Sequence, residues 1–239
     1  MNLVISFHLI VYIQITLLET IDHPLNKLCS YSEEADKGIE DMVDLDVLNN
    51  ATLLYNLKAR YYAEPRQIYT YVTPSLLVVN PYQNVPHLMT EEIIKQCYDY
   101  IDEPKTKLKD VVPHTYSITA RALKQMYGNK ERQAIVISGE SGAGKTEAAK
   151  ISMSLLSGMG KNAASGKPGI EQRILACNPV LEAFGNAKTQ RNYNSSRFGK
   201  YVKILYDINK KQVLGAITKQ YLLEKSRIVK VVSIRMKVG

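Results

Sequence analysis

The sequence predicts an α/β fold, a partial mixed central sheet flanked by helices. Three observations predict it. A short apolar run, Ala134–Ser138, leads through a glycine-rich stretch into a helical pattern over Thr146–Leu156. Runs rich in β-branched and aromatic residues, Ile68–Val79 and Phe198–Leu223, alternate with amphipathic helical patterns. The composition, 45% hydrophobic and 23% charged over 239 residues, is that of a globular chain long enough to bury a core without staples. Disordered and collagen-like chains are excluded. Cys29, Cys97 and Cys177 are too few and too scattered for a disulfide framework or a zinc site, and they fit a reducing compartment.

The elements follow in order. Leu3–Leu18 is mostly apolar but short for a membrane span, so no span is expected. It reads as a leader segment, a targeting signal without the usual basic flank, or a packed strand or helix. Asn50-Ala51-Thr52 is a sequon that matters only in a secreted chain. Met42, Leu45, Leu48, Leu54, Leu57 and Tyr61 recur at roughly helical spacing, with Asp41, Asp44 and Asp46 early, where a helix favours acids. Ile68–Val79 reads as two short strands divided by Pro74. Thr90–Ile101 is a helix with Thr90 as its N-cap, and Thr115–Tyr127 is another, stopped by Gly128. Gly158–Gly169 is a glycine-rich loop, and Ile170–Ala187 is a helix broken near Pro179. Phe198–Asp207 and Gln212–Leu223 form a β-hairpin about a turn at Ile208–Lys211.

Charge divides the chain. Residues 1–119 carry 9 basic and 16 acidic side chains, whereas residues 120–239 carry 22 and 7, for a formal total of +8. The basic half calls for an anionic partner such as nucleic acid, acidic lipid or nucleotide phosphate, or for an acidic protein surface to pack against.

Gly139-Glu140-Ser141-Gly142-Ala143-Gly144-Lys145-Thr146 matches GxxxxGK[ST] between a strand and a helix, the context in which that pattern holds phosphate. Its glycines let successive N–H groups wrap a phosphate, and the helix N-terminus adds partial positive charge. Lys145 supplies a full charge, and the Thr146 hydroxyl is a hard oxygen suited to Mg2+. The bare pattern arises by chance in a chain this long on the order of 1% of the time. The motif alone does not choose ATP over GTP, nor motor over kinase, GTPase or transporter. Asn129-Lys130-Glu131-Arg132 lacks the Asp of a guanine-reading signature.

A second polar run, Asn192-Tyr193-Asn194-Ser195-Ser196-Arg197-Phe198-Gly199-Lys200, offers hydroxyls, amides and an Arg ahead of a strand. Preceded by Ala183-Phe184-Gly185-Asn186-Ala187-Lys188-Thr189, it resembles the first switch of the myosin motor domain. The phosphate loop, Asn80-Pro81-Tyr82, Pro113-His114-Thr115-Tyr116 and Tyr221-Leu222-Leu223-Glu224-Lys225-Ser226-Arg227 match in the same order over about residues 39–228. Residues 1–38 and 229–239 lie outside the resemblance.

The resemblance implies the P-loop NTPase core of a myosin head. It implies ATP and Mg2+ as cofactors, ATP hydrolysis as the activity, actin filaments as partner and a cytoplasmic, cytoskeletal location. Nucleic acid is not implied. Lys145 and Thr146 would hold phosphate and Mg2+, and Ser196 would be the second protein ligand to that ion. Asn192 would touch the phosphates, Ser195 would place the attacking water, and Arg197 would close the site through a salt bridge. Asn80 and Pro81 would line the adenine end, where Leu88 stands in place of the family's Tyr. The family's second switch, actin-binding cleft and light-chain helix find no counterpart in these 239 residues. Arg197 is therefore expected without a carboxylate partner, the chain is expected to turn over ATP slowly or not at all, and sheet edges and apolar faces are expected to lie open. The rival readings are a nucleotide-binding relic without motor work and an unrelated P-loop ATPase. The rival ATPase would need an acidic strand end, for which Lys203–Asp207 is the loose candidate.

Overall fold

The computed structural model describes residues 2–3, 9–13, 32–159, 170–190 and 192–228. The chain is mixed helix and strand. The expected central sheet is three sheets among the described residues. The first is four-stranded, in the order β3 (Tyr69–Val72), β4 (Ser75–Val79), β2 (Leu9–Ile13), β5 (Val136–Gly139). β3 and β4 form an antiparallel hairpin, while β2 runs parallel to both β4 and β5. Five residues of the apolar N-terminal run thus form an inner strand, the packed-strand reading of that segment. The second sheet is antiparallel, in the order β1 (Asn2–Leu3), β8 (Gly199–Asp207), β9 (Gln212–Tyr221). The third pairs β6 (Asn186–Ala187) with β7 (Ser195–Ser196). Among the described residues β5 ends the first sheet, while β8 pairs with β1 and β9 in the second.

Ala35 of α1 (Glu33–Lys37), Leu57 of α2 (Asn50–Tyr61), and Met42 and Leu45 between the two helices cluster with Val79 of β4. The early acids do not open a single long helix. Asp41 caps a 3-10 turn at Met42–Asp44, Asp46 accepts from the Ser32 hydroxyl, and α2 starts at its own capping box, Asn49 with Thr52. Buried Arg60 of α2 staples this unit to the hairpin. It donates to the Gly38 and Tyr69 carbonyls and to the Thr70 hydroxyl at 3.0–3.3 Å. Burial lowers its pKa, with Glu40 opposing.

α3 (Glu91–Asp102) and α4 (Thr115–Asn129) connect β4 to β5. Thr90 caps α3 as the sequence predicts. Gly128 does not stop α4. The helix runs on to Asn129 and ends at Lys130, whose φ of 56° is left-handed. α5 (Lys145–Met159) follows the glycine loop, and its Leu155 and Leu156 join Ile204 and Tyr206 of β8 in the core that unites the helices with the second sheet. The loop expected at Gly158–Gly169 lies largely outside the described residues. Pro179 does not break its helix. α6 (Ile170–Gly185) continues through it, because an exposed proline costs one backbone hydrogen bond while packing on α5 and β9 holds the rest. The hairpin β8–β9 turns at residues 208–211, where the Asp207 carboxylate accepts from the Asn209 and Lys210 amides. Asp207 is thus a turn cap at the end of a hairpin strand, as the expected hairpin Phe198–Asp207 has it.

Apolar side chains do lie open, among them Leu214, Ile217, Tyr221 and Leu222 along β9 and just beyond it. No described helix is long and apolar enough to cross a membrane.

Candidate nucleotide site

The loop between β5 and α5 takes its shape from its glycines. Gly139, Gly142 and Gly144 have φ of 153°, 85° and 110°, values that suit a residue without Cβ. Ala143 is fully buried, and its amide donates to the Glu140 carbonyl at 3.2 Å. The first turn of α5 then begins at Lys145, with the unpaired N–H groups that every helix start leaves.

Lys145 folds along the inside of this loop. Its Nζ donates to the Gly139 and Glu140 carbonyls, both at 2.7 Å, which leaves one N–H of the ammonium unspent. Burial pulls its pKa below the ordinary lysine value. Thr146, the next residue, is half-buried.

The second segment sits beside the first. Ser195 in β7 is 1% exposed, and its Oγ lies 2.7 Å from the Ser141 Oγ, across from the loop crest. Ser196 is exposed, and its hydroxyl donates to the Phe198 carbonyl at 3.3 Å. Asn192 shapes its own turn: its side-chain oxygen accepts from the Asn194 amide at 2.9 Å, and its carbonyl accepts from the Thr189 amide at 2.8 Å.

Asn80 also meets the loop. Its Nδ2 donates to the Gly142 carbonyl at 2.8 Å, while its Oδ1 accepts from the amide of exposed Tyr82, whose φ is 49°. Pro81 is half-buried beside it, and Leu88 is buried in the core.

Arg197 corrects an expectation. It has a carboxylate partner within the chain: Nε and Nη2 reach Glu224 Oε2 at 2.6 and 2.5 Å, and Nη1 donates to Ser195 Oγ at 3.3 Å. Sequence reasoning assigned no role to Glu224. The signal was present in the hairpin register, which pairs Gly199 with Tyr221 and so brings residues near 197 beside residues near 223.

Elsewhere, a cavity of about 370 Å3 is lined by Glu34, Glu40, Asp41, Asp44, Lys37 and Lys109, and it shares no residue with these segments.

The family model for the myosin head (motor domain) matches residues 39–234. The chain belongs to the myosin head family. It is 43% and 44% identical to Myosin-15 and Myosin-7 of Arabidopsis thaliana over 199 residues, 83% of this chain. It is 43% identical to unconventional myosin-VI of Sus scrofa over 204 residues, 85% of this chain. The matched stretches are 12%, 11% and 15% of those myosins, so the chain spans a small part of the relatives it matches.

Proposed function

We propose that residues 139–146 and 192–197 form the phosphate end of a Mg·ATP site, and that the protein works as an ATP-hydrolysing, actin-based cytoskeletal motor. One observation carries the site: the Ser141 and Ser195 hydroxyls meet at 2.7 Å, bringing the glycine loop and the first-switch segment face to face. P-loop NTPases cradle phosphate between such a loop and such a switch. Motor activity, actin as partner and the cytoskeletal location rest on membership of the myosin head family.

The residues fit the ligand. The spare N–H of Lys145 and the first-turn amides of α5 suit β- and γ-phosphate oxygens. The loop's glycines leave no side chain in the way of a phosphate, and Gly142 and Gly144 hold positive φ that suits their lack of a Cβ. Thr146 and Ser196 supply neutral hard oxygens for Mg2+, which would neutralise developing phosphate charge. Ser195 would orient the attacking water, Asn192 would contact phosphate, and Arg197 would hold the switch closed. Asn80, on the carbonyl of Gly142, and Pro81 would border the adenine end.

The test is equilibrium binding of Mg·ATP to the 239-residue chain and to its Lys145→Ala variant. A charge-assisted contact of about 1.5–3 kcal/mol predicts at least a tenfold loss of affinity. Equal affinity in a variant with an unchanged circular dichroism spectrum would refute the site. A second reading, binding without turnover, predicts the same titration but no phosphate release.

A further inference from the structure

The contact that answers the Arg197 guanidinium comes from a part of the chain with no assigned task. Glu224 lies just past β9 and is joined to the first-switch segment twice. Its carboxylate receives Nε and Nη2 of Arg197, and its backbone N–H donates to the Arg197 carbonyl at 2.9 Å. The Arg197 amide in turn donates to the Gly185 carbonyl at the end of α6, at 3.0 Å. Arg197 is thus fixed from two sides, and its remaining nitrogen reaches Ser195, which touches Ser141 of the loop. A continuous line of contacts runs Glu224, Arg197, Ser195, Ser141.

We propose that Glu224 is a positioning residue of the nucleotide site, holding Arg197 so that the Ser195 segment stays seated against the glycine loop. This rests on the nucleotide reading above. The chemistry supports a positioning rather than a merely cohesive role. Arg197 offers a planar fork, and a carboxylate is the partner that fixes such a fork in one orientation. With the fork aimed by Glu224, Nη1 is presented to Ser195. Without the carboxylate, the guanidinium turns to water and Ser195 loses its donor. The pair is partly exposed, with the two side chains at 24% and 36%, so salt screens its charge.

The experiment measures release of a fluorescent N-methylanthraniloyl ATP with Mg2+ from the 239-residue chain. Glu224→Gln keeps the shape and removes the charge. The expected result is a dissociation rate roughly three- to tenfold faster than wild type at low salt. The gap closes in molar salt, where the wild-type pair is screened. The thermal midpoint stays close to wild type. If Glu224 acts through Arg197, the Arg197→Gln, Glu224→Gln double variant releases no faster than Arg197→Gln alone. A Glu224→Gln variant with a wild-type release rate, or additive effects in the double variant, would overturn the assignment. So would a lowered midpoint with no change in release, the mark of a purely structural contact. The two claims fail separately. Lost binding in Lys145→Ala with a silent Glu224→Gln removes only the role of Glu224. Unaltered binding in Lys145→Ala removes the nucleotide reading beneath it as well.

Discussion

Replacing Gly185 by Ala tests how the segment at residues 192–198 is held. Gly185 is the last residue of α6, and its φ is not left-handed, so the backbone accepts a side chain there. Helix propensity alone would favour the change by up to about 1 kcal/mol. The space does not accept it. A Cβ at Gly185 would run into the edge of the Phe198 ring, meeting Cδ1 and Cε1 well inside contact distance and Cζ at 3.1 Å. The Phe198 ring has to turn about its own χ angles to make room, since the backbone beside it is tied through Arg197 to Gly185 and Glu224 and cannot simply shift. Overpacking of this kind costs about 1–3 kcal/mol, which offsets or outweighs the propensity and leaves a net loss of up to about 2 kcal/mol. Urea unfolding measures it. In a Phe198→Ala background the obstacle is gone, and Gly185→Ala should then be neutral or stabilising by up to about 1 kcal/mol. That reversal of sign is the decisive outcome. The same loss in both backgrounds would refute the reasoning.

Two further predictions concern other contacts. Buried His114 lies between the rings of Tyr69 and Tyr116, its Nδ1 accepts the Tyr116 amide, and burial pushes its pKa down from 6.5 to about 3, with the Leu88 backbone opposing. The unfolded chain therefore binds a proton below pH 6.5 that the folded chain refuses, and stability falls by about 2 kcal/mol between pH 7 and pH 5. Denaturant titrations across that range should show the slope, and His114→Gln should flatten it. Asn80→Ala removes the tie to the Gly142 carbonyl. It should weaken Mg·ATP binding several-fold, as the loss of about 1 kcal/mol of positioning would, with little change in the thermal midpoint. Unchanged binding would show that the loop holds its shape unaided.

The glycine loop, the strand before it and the helix after it were legible in the sequence because local chemistry dictates them. A left-handed backbone needs Gly139, Gly142 and Gly144 whatever surrounds them. The hairpin β8–β9 was legible for a similar reason, since Asp207-Ile208-Asn209-Lys210-Lys211 is itself a turn. Features set by tertiary packing were not. Gly128 has nothing within 4 Å of where a Cβ would stand, so it neither needs nor forces a stop, and α4 passes through it. Pro179 is tolerated inside α6 because neighbouring elements hold the helix. The inner position of Leu9–Ile13 depends on which strand edges are open, a property no local window contains. In the candidate site, the residue types of the loop and of residues 192–197 could be read, but the pairing of Arg197 with Glu224 over 27 residues required the hairpin's register.

Amide hydrogen exchange with and without Mg·ATP tests most directly whether both segments grip one ligand. The account predicts added protection in residues 139–146 and in residues 192–197 together, abolished in Lys145→Ala. Protection confined to one segment, or none in either at saturating nucleotide, would contradict it.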